Sequence, residues 1–166
     1  MTVIRPERPG DEAAIAALTT AAFAPMPYSR GAEAAIIAAL RADGDLALSL
    51  VAERAEALCG HVALSPLPER RGWFALGPVS VAPDCQGQGI GGALIRAALG
   101  HLRGLGAAGC ALIGNPAYYA RFGFVSDGRL TCAGLDPALV QHLTFYGPMP
   151  EGALQFAPAF AVDRQG

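Results

Sequence analysis

The stretch Val79–Leu102, VSVAPDCQGQGIGGALIRAALGHL, constrains the fold more than any other part of the chain. Val79, Ser80 and Val81 follow the apolar run Trp73–Leu76 and read as the end of a buried strand. Pro83 and Asp84 stop that strand. From Gln86 to Gly92, QGQGIGG places four glycines in seven residues, where backbone N–H groups can approach a ligand with no Cβ in the way. A helix follows, because Ile90, Leu94, Ala98 and Leu102 recur every four residues, with Ala97 and His101 filling in the same face. Strand, glycine loop and helix N-terminus in succession make a site for anions: the first-turn amides are unpaired and the helix dipole is positive there.

Three phosphate-binding patterns and one bland alternative compete for this loop. Gly87, Gly89 and Gly92 satisfy G-x-G-x-x-G, the pattern of a dinucleotide-binding turn. Its partner is missing. A ribose-binding Asp or Glu belongs about twenty residues on, and no acidic residue stands between Asp84 and Asp127. A Walker loop needs Gly-Lys-Ser/Thr, and the chain contains no lysine. A plain strand-to-helix turn needs only one or two glycines. The third pattern is Gln86-x-x-Gly89-x-Gly91. On it the chain resembles the GNAT superfamily of acetyl-CoA-dependent N-acyltransferases, which use Q/R-x-x-G-x-G/A to wrap the pyrophosphate of coenzyme A at the start of a helix. The resemblance implies that Gln86, Gly87, Gln88, Gly89, Ile90, Gly91 and Gly92 hold the coenzyme, and that Val79, Ser80 and Val81 pair their backbone with its pantetheine arm.

A second block, Gly114–Phe124, reads GNPAYYARFGF. Pro116 suits the first turn of a short helix, Asn115 can cap it and Gly123 ends it. The block is similar to the Y-x-K/R-x-G-F segment of the same superfamily, and closer to a bacterial subgroup with G-D/N-P-x-Y-Y-x-R-F-G-F. Tyr119 takes the place of the motif's tyrosine, which implies a general acid for the departing thiolate. Its alternative reading is an aromatic filling the gap between helix and sheet. Asn115 and Tyr118 join the expected coenzyme-binding set, Tyr118 by packing or by lining the channel. Gly77-Pro78 interrupts the strand Trp73–Val81, and proline in a central strand implies a bulge or local splaying. In the superfamily a bulge at this place opens the sheet into a V between the fourth and fifth strands and frees a backbone amide for the oxyanion.

At 166 residues the chain fits one domain, 1–166, able to bury about 70% of its unfolded surface. A net charge of −2 and twelve scattered arginines give no basic stripe, so neither nucleic acid nor an anionic membrane is an expected partner. No apolar run approaches a membrane span, and the N-terminus does not read as a signal peptide, so a cytoplasmic location is expected. Cys59, Cys85, Cys110 and Cys132 are widely spaced, with no C-x-x-C, so neither a metal nor a disulfide framework is expected. Cys59 and Cys110 read as core, and Cys85 as the one thiol open to solvent. An acyltransferase without lysine also cannot acylate lysine side chains of its own.

Around these blocks the pattern predicts a mixed α/β chain, a mostly antiparallel sheet flanked by helices. Thr2–Arg5 is a first strand, and Asp11 is expected to cap a helix over Glu12–Phe23. Gly31–Arg41 is a second helix, closed by Asp43-Gly44. In the superfamily the loop between these helices lines the acceptor pocket, which makes Tyr28, Arg30 and Glu33 candidates for substrate contact. Leu46–Glu53 and Leu58–Leu64 form a hairpin, and Cys110–Ile113 a short buried strand. Asp136–His142 reads as a short helix, Leu143–Tyr146 and Leu154–Ala157 as the last strands, and the apolar Leu154–Val162 as a surface able to pack across a homodimer. Glu33 and His61 are the candidates for a base, although a lone histidine in an apolar strand is more often a packed one. The resulting expectation is acetyl transfer from acetyl-CoA to a primary amine of a small molecule or peptide, against the alternative of a non-catalytic acyl-CoA-binding or sensor domain.

Overall fold

The computed structural model describes residues 1–164. In chain order it contains β1 (Thr2–Pro6), α1 (Glu12–Phe23), α2 (Glu33–Asp43), β2 (Leu48–Arg54), β3 (Ala57–Pro66), β4 (Trp73–Val81), α3 (Ile90–Gly104), β5 (Gly109–Ile113), α4 (Pro116–Tyr119), β6 (Leu130–Thr131), β7 (Val140–Thr144) and β8 (Gly152–Ala153). The central sheet has the order β1-β2-β3-β4-β5-β7, and β6 pairs with β8 in a small second sheet. Every neighbouring pair of the central sheet is antiparallel except β4–β5. Among the described residues no helix is long and apolar enough to cross a membrane.

Side chains alternate across the sheet and both faces are covered, which is why the strands read as nearly continuous apolar runs. Leu50, Ala52, Val62 and Leu64 pack against Leu94, Ile95 and Ala98 of α3. Val51, one residue out of step, packs with Ile15 of α1 and Ile37 of α2 on the other face. The buried stripe of α3 is Ile90, Leu94, Ile95, Ala98, Leu99 and Leu102. It therefore leans toward Ile95 and Leu99 and leaves His101 exposed, contrary to the expected face.

The feature that positions the site is the divergence of β4 from β5. Their pairing covers Trp73 with Gly109, Phe74 with Cys110 and Ala75 with Ala111, and stops there. Strand β4 then continues on β3 alone while β5 continues on β7. On the β3 side Val62 faces Val79 and Leu64 faces Leu76, so β4 carries one residue more than its partner across Gly77-Pro78. That bulge is the expected one: Pro78 has no N–H to give to a ladder.

Local patterns failed where a distant partner took over. Asp11 makes no side-chain cap on α1. Its carboxylate accepts instead from the Arg8 amide and from Arg5, which also donates to Glu53 across the sheet edge. Asp136 caps only a single 3-10 turn, Pro137–Leu139, and Val140–Thr144 is drawn into the sheet beside β5, so neither the expected helix nor the strand Leu143–Tyr146 forms as bounded. Leu154–Ala157 is not a strand: β8 ends at Ala153, and a 3-10 segment, Pro158–Arg164, follows. Ala157 and Ala159 are buried with Ile36 and Leu40 of α2, so part of this apolar segment docks on its own chain, while Val162 at its end is exposed. Cys85 is likewise buried in the core rather than open to solvent.

Candidate active site

A cleft of about 240 Å³ opens where β4 has left β5, and the start of α3 forms its end. Val79, Val81, Gln86, Gly91, Tyr118 and Tyr119 line it. Ser80 borders it too, although its hydroxyl lies 3.3 Å from Thr19 Oγ1 beneath α1. Gln86 folds back, its Nε2 donating to the Val81 carbonyl at 3.0 Å, so the loop is tied to the end of the strand. Gly89 stands immediately before α3 at φ +81°, in the left-handed region that glycine enters freely. The helix that begins there leaves its first amides without intrahelical acceptors.

The remaining residues of the expected coenzyme set do not line the cleft. Gly87, Gly89 and Gly92 shape the loop and first turn around it. Gln88 turns toward the β2–β3 hairpin, its Oε1 accepting from Arg54 Nη1 at 2.5 Å. The Ile90 side chain is core. Asn115 spends its side chain as the cap of α4, accepting from the Ala117 amide at 3.0 Å.

The adjacent tyrosines of α4 diverge. A Cβ placed on Gly91 would lie 3.5 Å from the Tyr118 hydroxyl, so Tyr118 reaches the start of α3. Tyr119 lies instead over Gly114, where a Cβ would come within 2.5 Å of Cε2 of its ring. The Tyr119 ring is half-buried and packs against Tyr118 and Phe124, with centroids 5.0 and 6.0 Å away. Burial, assisted by the neighbouring Tyr118 and Tyr28, pushes its hydroxyl up to about 12, so it keeps its proton at neutral pH.

Tyr119 also lines a second, larger cavity of about 670 Å³, which continues from the cleft past Val79. Its walls come from α1 and the loop after it, from α2, from Gly77-Pro78 of β4, and from Phe156 and Phe160 of the C-terminal segment. Tyr28, Arg30 and Glu33 all line it. The other candidate base, His61, borders neither cavity. It is fully buried, and its Nε2 stands 2.8 Å from Ser49 Oγ, which donates its own proton to Glu7. Nε2 must then be the protonated nitrogen, leaving Nδ1 bare and without a partner among the described residues. Desolvation holds His61 down at about 4.

The model of the "Acetyltransferase (GNAT)" family matches residues 14–124, which include both the cleft and α4. The chain belongs to the GNAT acetyltransferase family. Among its relatives is the uncharacterised N-acetyltransferase YhbS of Escherichia coli (strain K12), 37% identical over 126 residues that make up 74% of this chain and 72% of that protein. A GNAT family acetyltransferase from Brucella melitensis, solved in complex with acetyl-CoA, superposes with a TM-score of 0.86 at 46% identity, covering 96% of this chain and 98% of that one. YhbS itself, solved with CoA, superposes with a TM-score of 0.85 at 30% identity, covering 96% and 91%.

Within this GNAT acetyltransferase, several residues of the two cavities were not singled out from sequence. Ala22, Phe23 and Met26 reach the cleft from the end of α1 and its loop, and Ile95 from the second turn of α3. Leu135, Phe156 and Phe160 close the larger cavity from the far end of the chain. Ile95 was visible as an apolar residue one turn past the glycine loop. The C-terminal aromatics carried no local signal, because what makes them cavity walls is the docking of their segment on α2.

Proposed function

We propose that this GNAT acetyltransferase is an N-acetyltransferase that moves an acetyl group from acetyl-CoA to a primary amine, as one domain, with Tyr119 as general acid. The observation that carries the reading is the position of Tyr119, a protonated hydroxyl at the junction of the cleft and the larger cavity, beside the opened strand. The first-turn amides of α3 fit a pyrophosphate, since they are unpaired and lie at the positive end of a 15-residue helix. Among the described residues no strand pairs with the β4 backbone over Val79–Val81 on its β5 side, which leaves it free to pair with an amide-bearing arm such as pantetheine. The larger cavity takes the acceptor.

In the reaction the neutral amine's lone pair attacks the thioester carbonyl carbon and a C–N bond forms. A backbone amide of the bulged strand receives the oxyanion, a contribution of about 2.7–4 kcal/mol for donors of this kind. When the intermediate collapses, the C–S bond breaks and its electron pair goes to sulfur. The Tyr119 proton follows it, worth roughly 10²–10⁴-fold for a positioned acid. The surplus proton of the amine goes to water, and the tyrosinate left at Tyr119 takes a proton back from water, which restores the acid. A non-catalytic sensor would need neither the second cavity nor a proton donor at its junction.

Titration calorimetry with CoA and with NAD, followed by thiol release from acetyl-CoA across a panel of amines, tests the proposal. CoA binding without NAD binding, and amine-dependent release, are the expected results. NAD binding in preference to CoA would overturn it.

A further inference from the structure

The larger cavity holds one carboxylate in an unusual state. Glu33 begins α2, and its Oε1 accepts a hydrogen bond from Ser29 Oγ, which in turn accepts from the Gly31 amide at 3.0 Å. Its other oxygen, Oε2, is shielded from solvent and has no hydrogen-bond partner among the described residues. Leaving a shielded carboxylate oxygen without a donor costs free energy, and an ammonium supplies a charge-assisted one. The surrounding walls are apolar: Phe23, Ile36, Leu135, Phe156 and Phe160. Arg30 is the other charged group on the cavity, but it is solvent-exposed, so water and salt screen it while Glu33 Oε2 stays shielded.

We infer that the acceptor is a primary amine on an apolar, aromatic-sized body, with its ammonium docked on the Glu33 carboxylate, whose unpartnered oxygen turns into the cavity to receive it. This rests on the acetyltransferase reading and narrows its acceptor. A polyamine brings several ammonium groups to a cavity with one carboxylate and must bury the rest unpaired. An acidic amine sets its carboxylate against Glu33. An apolar monoamine leaves nothing unmatched. The role of Glu33 is binding and positioning, for the docked ammonium must still lose one proton to water before its lone pair can attack.

The test uses the whole chain, with and without CoA, and phenethylamine, its uncharged counterpart 2-phenylethanol, spermidine and L-glutamate as probes in titration calorimetry. Phenethylamine is expected to bind at least about tenfold more tightly than the other three, and Glu33→Gln to weaken it by about tenfold or more while CoA affinity stays as it was. Acetyl-CoA turnover should follow the same order, with the KM for phenethylamine raised in Glu33→Gln and that for acetyl-CoA unchanged. Equal or tighter binding of spermidine, glutamate or 2-phenylethanol, no binding of phenethylamine, or an unaltered Glu33→Gln protein would each overturn the inference. Loss of CoA binding in the unsubstituted chain would instead sink the acetyltransferase proposal, so the two failures are distinct.

Discussion

The Tyr119 hydroxyl makes no hydrogen bond to another described residue, while its ring is held on three sides by Tyr118, Phe122 and Phe124. Tyr119→Phe should therefore keep the packing and the coenzyme affinity. Its kcat is expected to fall by roughly 10²-fold or more with little change in the KM for acetyl-CoA, the pattern of an interaction made mainly in the transition state. Tyr118→Phe, at the α3 end of the cleft, should be milder in kcat. Wild-type turnover in Tyr119→Phe when chemistry limits the rate would transfer the proton to Tyr118 or water. Gly114 supports the same atom indirectly. A methyl group there would lie 2.5 Å from the Tyr119 ring, so Gly114→Ala must displace it. Turnover should drop by about tenfold or more, as misplacement by an ångström does, while calorimetry finds CoA bound as before. The glycine at the head of the second motif was legible in sequence, but not its reason, which is a ring five residues away folding back over it.

At the scale of elements, the loop-to-helix junction rests on two glycines that differ in kind. Gly89 is needed for its dihedral, since φ +81° costs an ordinary residue roughly 1–2 kcal/mol and a β-branched one more. Gly91 is already helical, and what it limits is side-chain size: a Cβ would make ordinary contact with Tyr118 and Val81 at 3.5 Å across the cleft, with little room beyond it. Both Gly89→Val and Gly91→Val should show no CoA binding by calorimetry, but Gly91→Ala should retain most of it, because one methyl fits where an isopropyl does not. Retained binding in Gly91→Val would mean that the cleft is not the coenzyme's path. This junction was readable in advance because strand, glycine run and apolar period all lie within 24 consecutive residues, Val79–Leu102. The segment Asp136–His142 misled for the converse reason. The free edge of β5 takes Val140–Thr144 as a strand, and a ladder with a distant partner outweighs a weak local preference.

For the molecule as a whole, the α1/α2 face of the sheet carries a polar chain in which Arg41 binds Glu7 at 2.9 and 2.8 Å, Ser49 donates to Glu7, and His61 donates to Ser49. His61 is held at about 4 when folded and returns to its ordinary 6.5 when unfolded, so the unfolded chain binds more protons between those values. Stability is then complete above about pH 6.5 and declines as pH falls toward about 4, by an amount on the order of 3 kcal/mol. Desolvation opposes ionisation of Glu7, but Arg41 and Ser49 outweigh it and hold the carboxyl below its ordinary range, so its contribution is lost in the same direction at lower pH. Denaturant midpoints measured across this range should fall with pH, and His61→Gln should flatten the fall. A flat profile in the unsubstituted protein would refute this account. The amino-acid sequence by itself determined the strand–loop–helix junction, the capped turn before Tyr119 and the bulge at Gly77-Pro78, because each depends on dihedrals and periodicities set by neighbours along the chain. Only the tertiary structure decided that Asp11 serves Arg5, that His61 is a bare-sided core residue, and that Glu33 meets Phe156 and Phe160 around one cavity. Those outcomes depend on which distant groups meet a buried donor, acceptor or apolar face in the folded chain, and nothing local encodes that meeting.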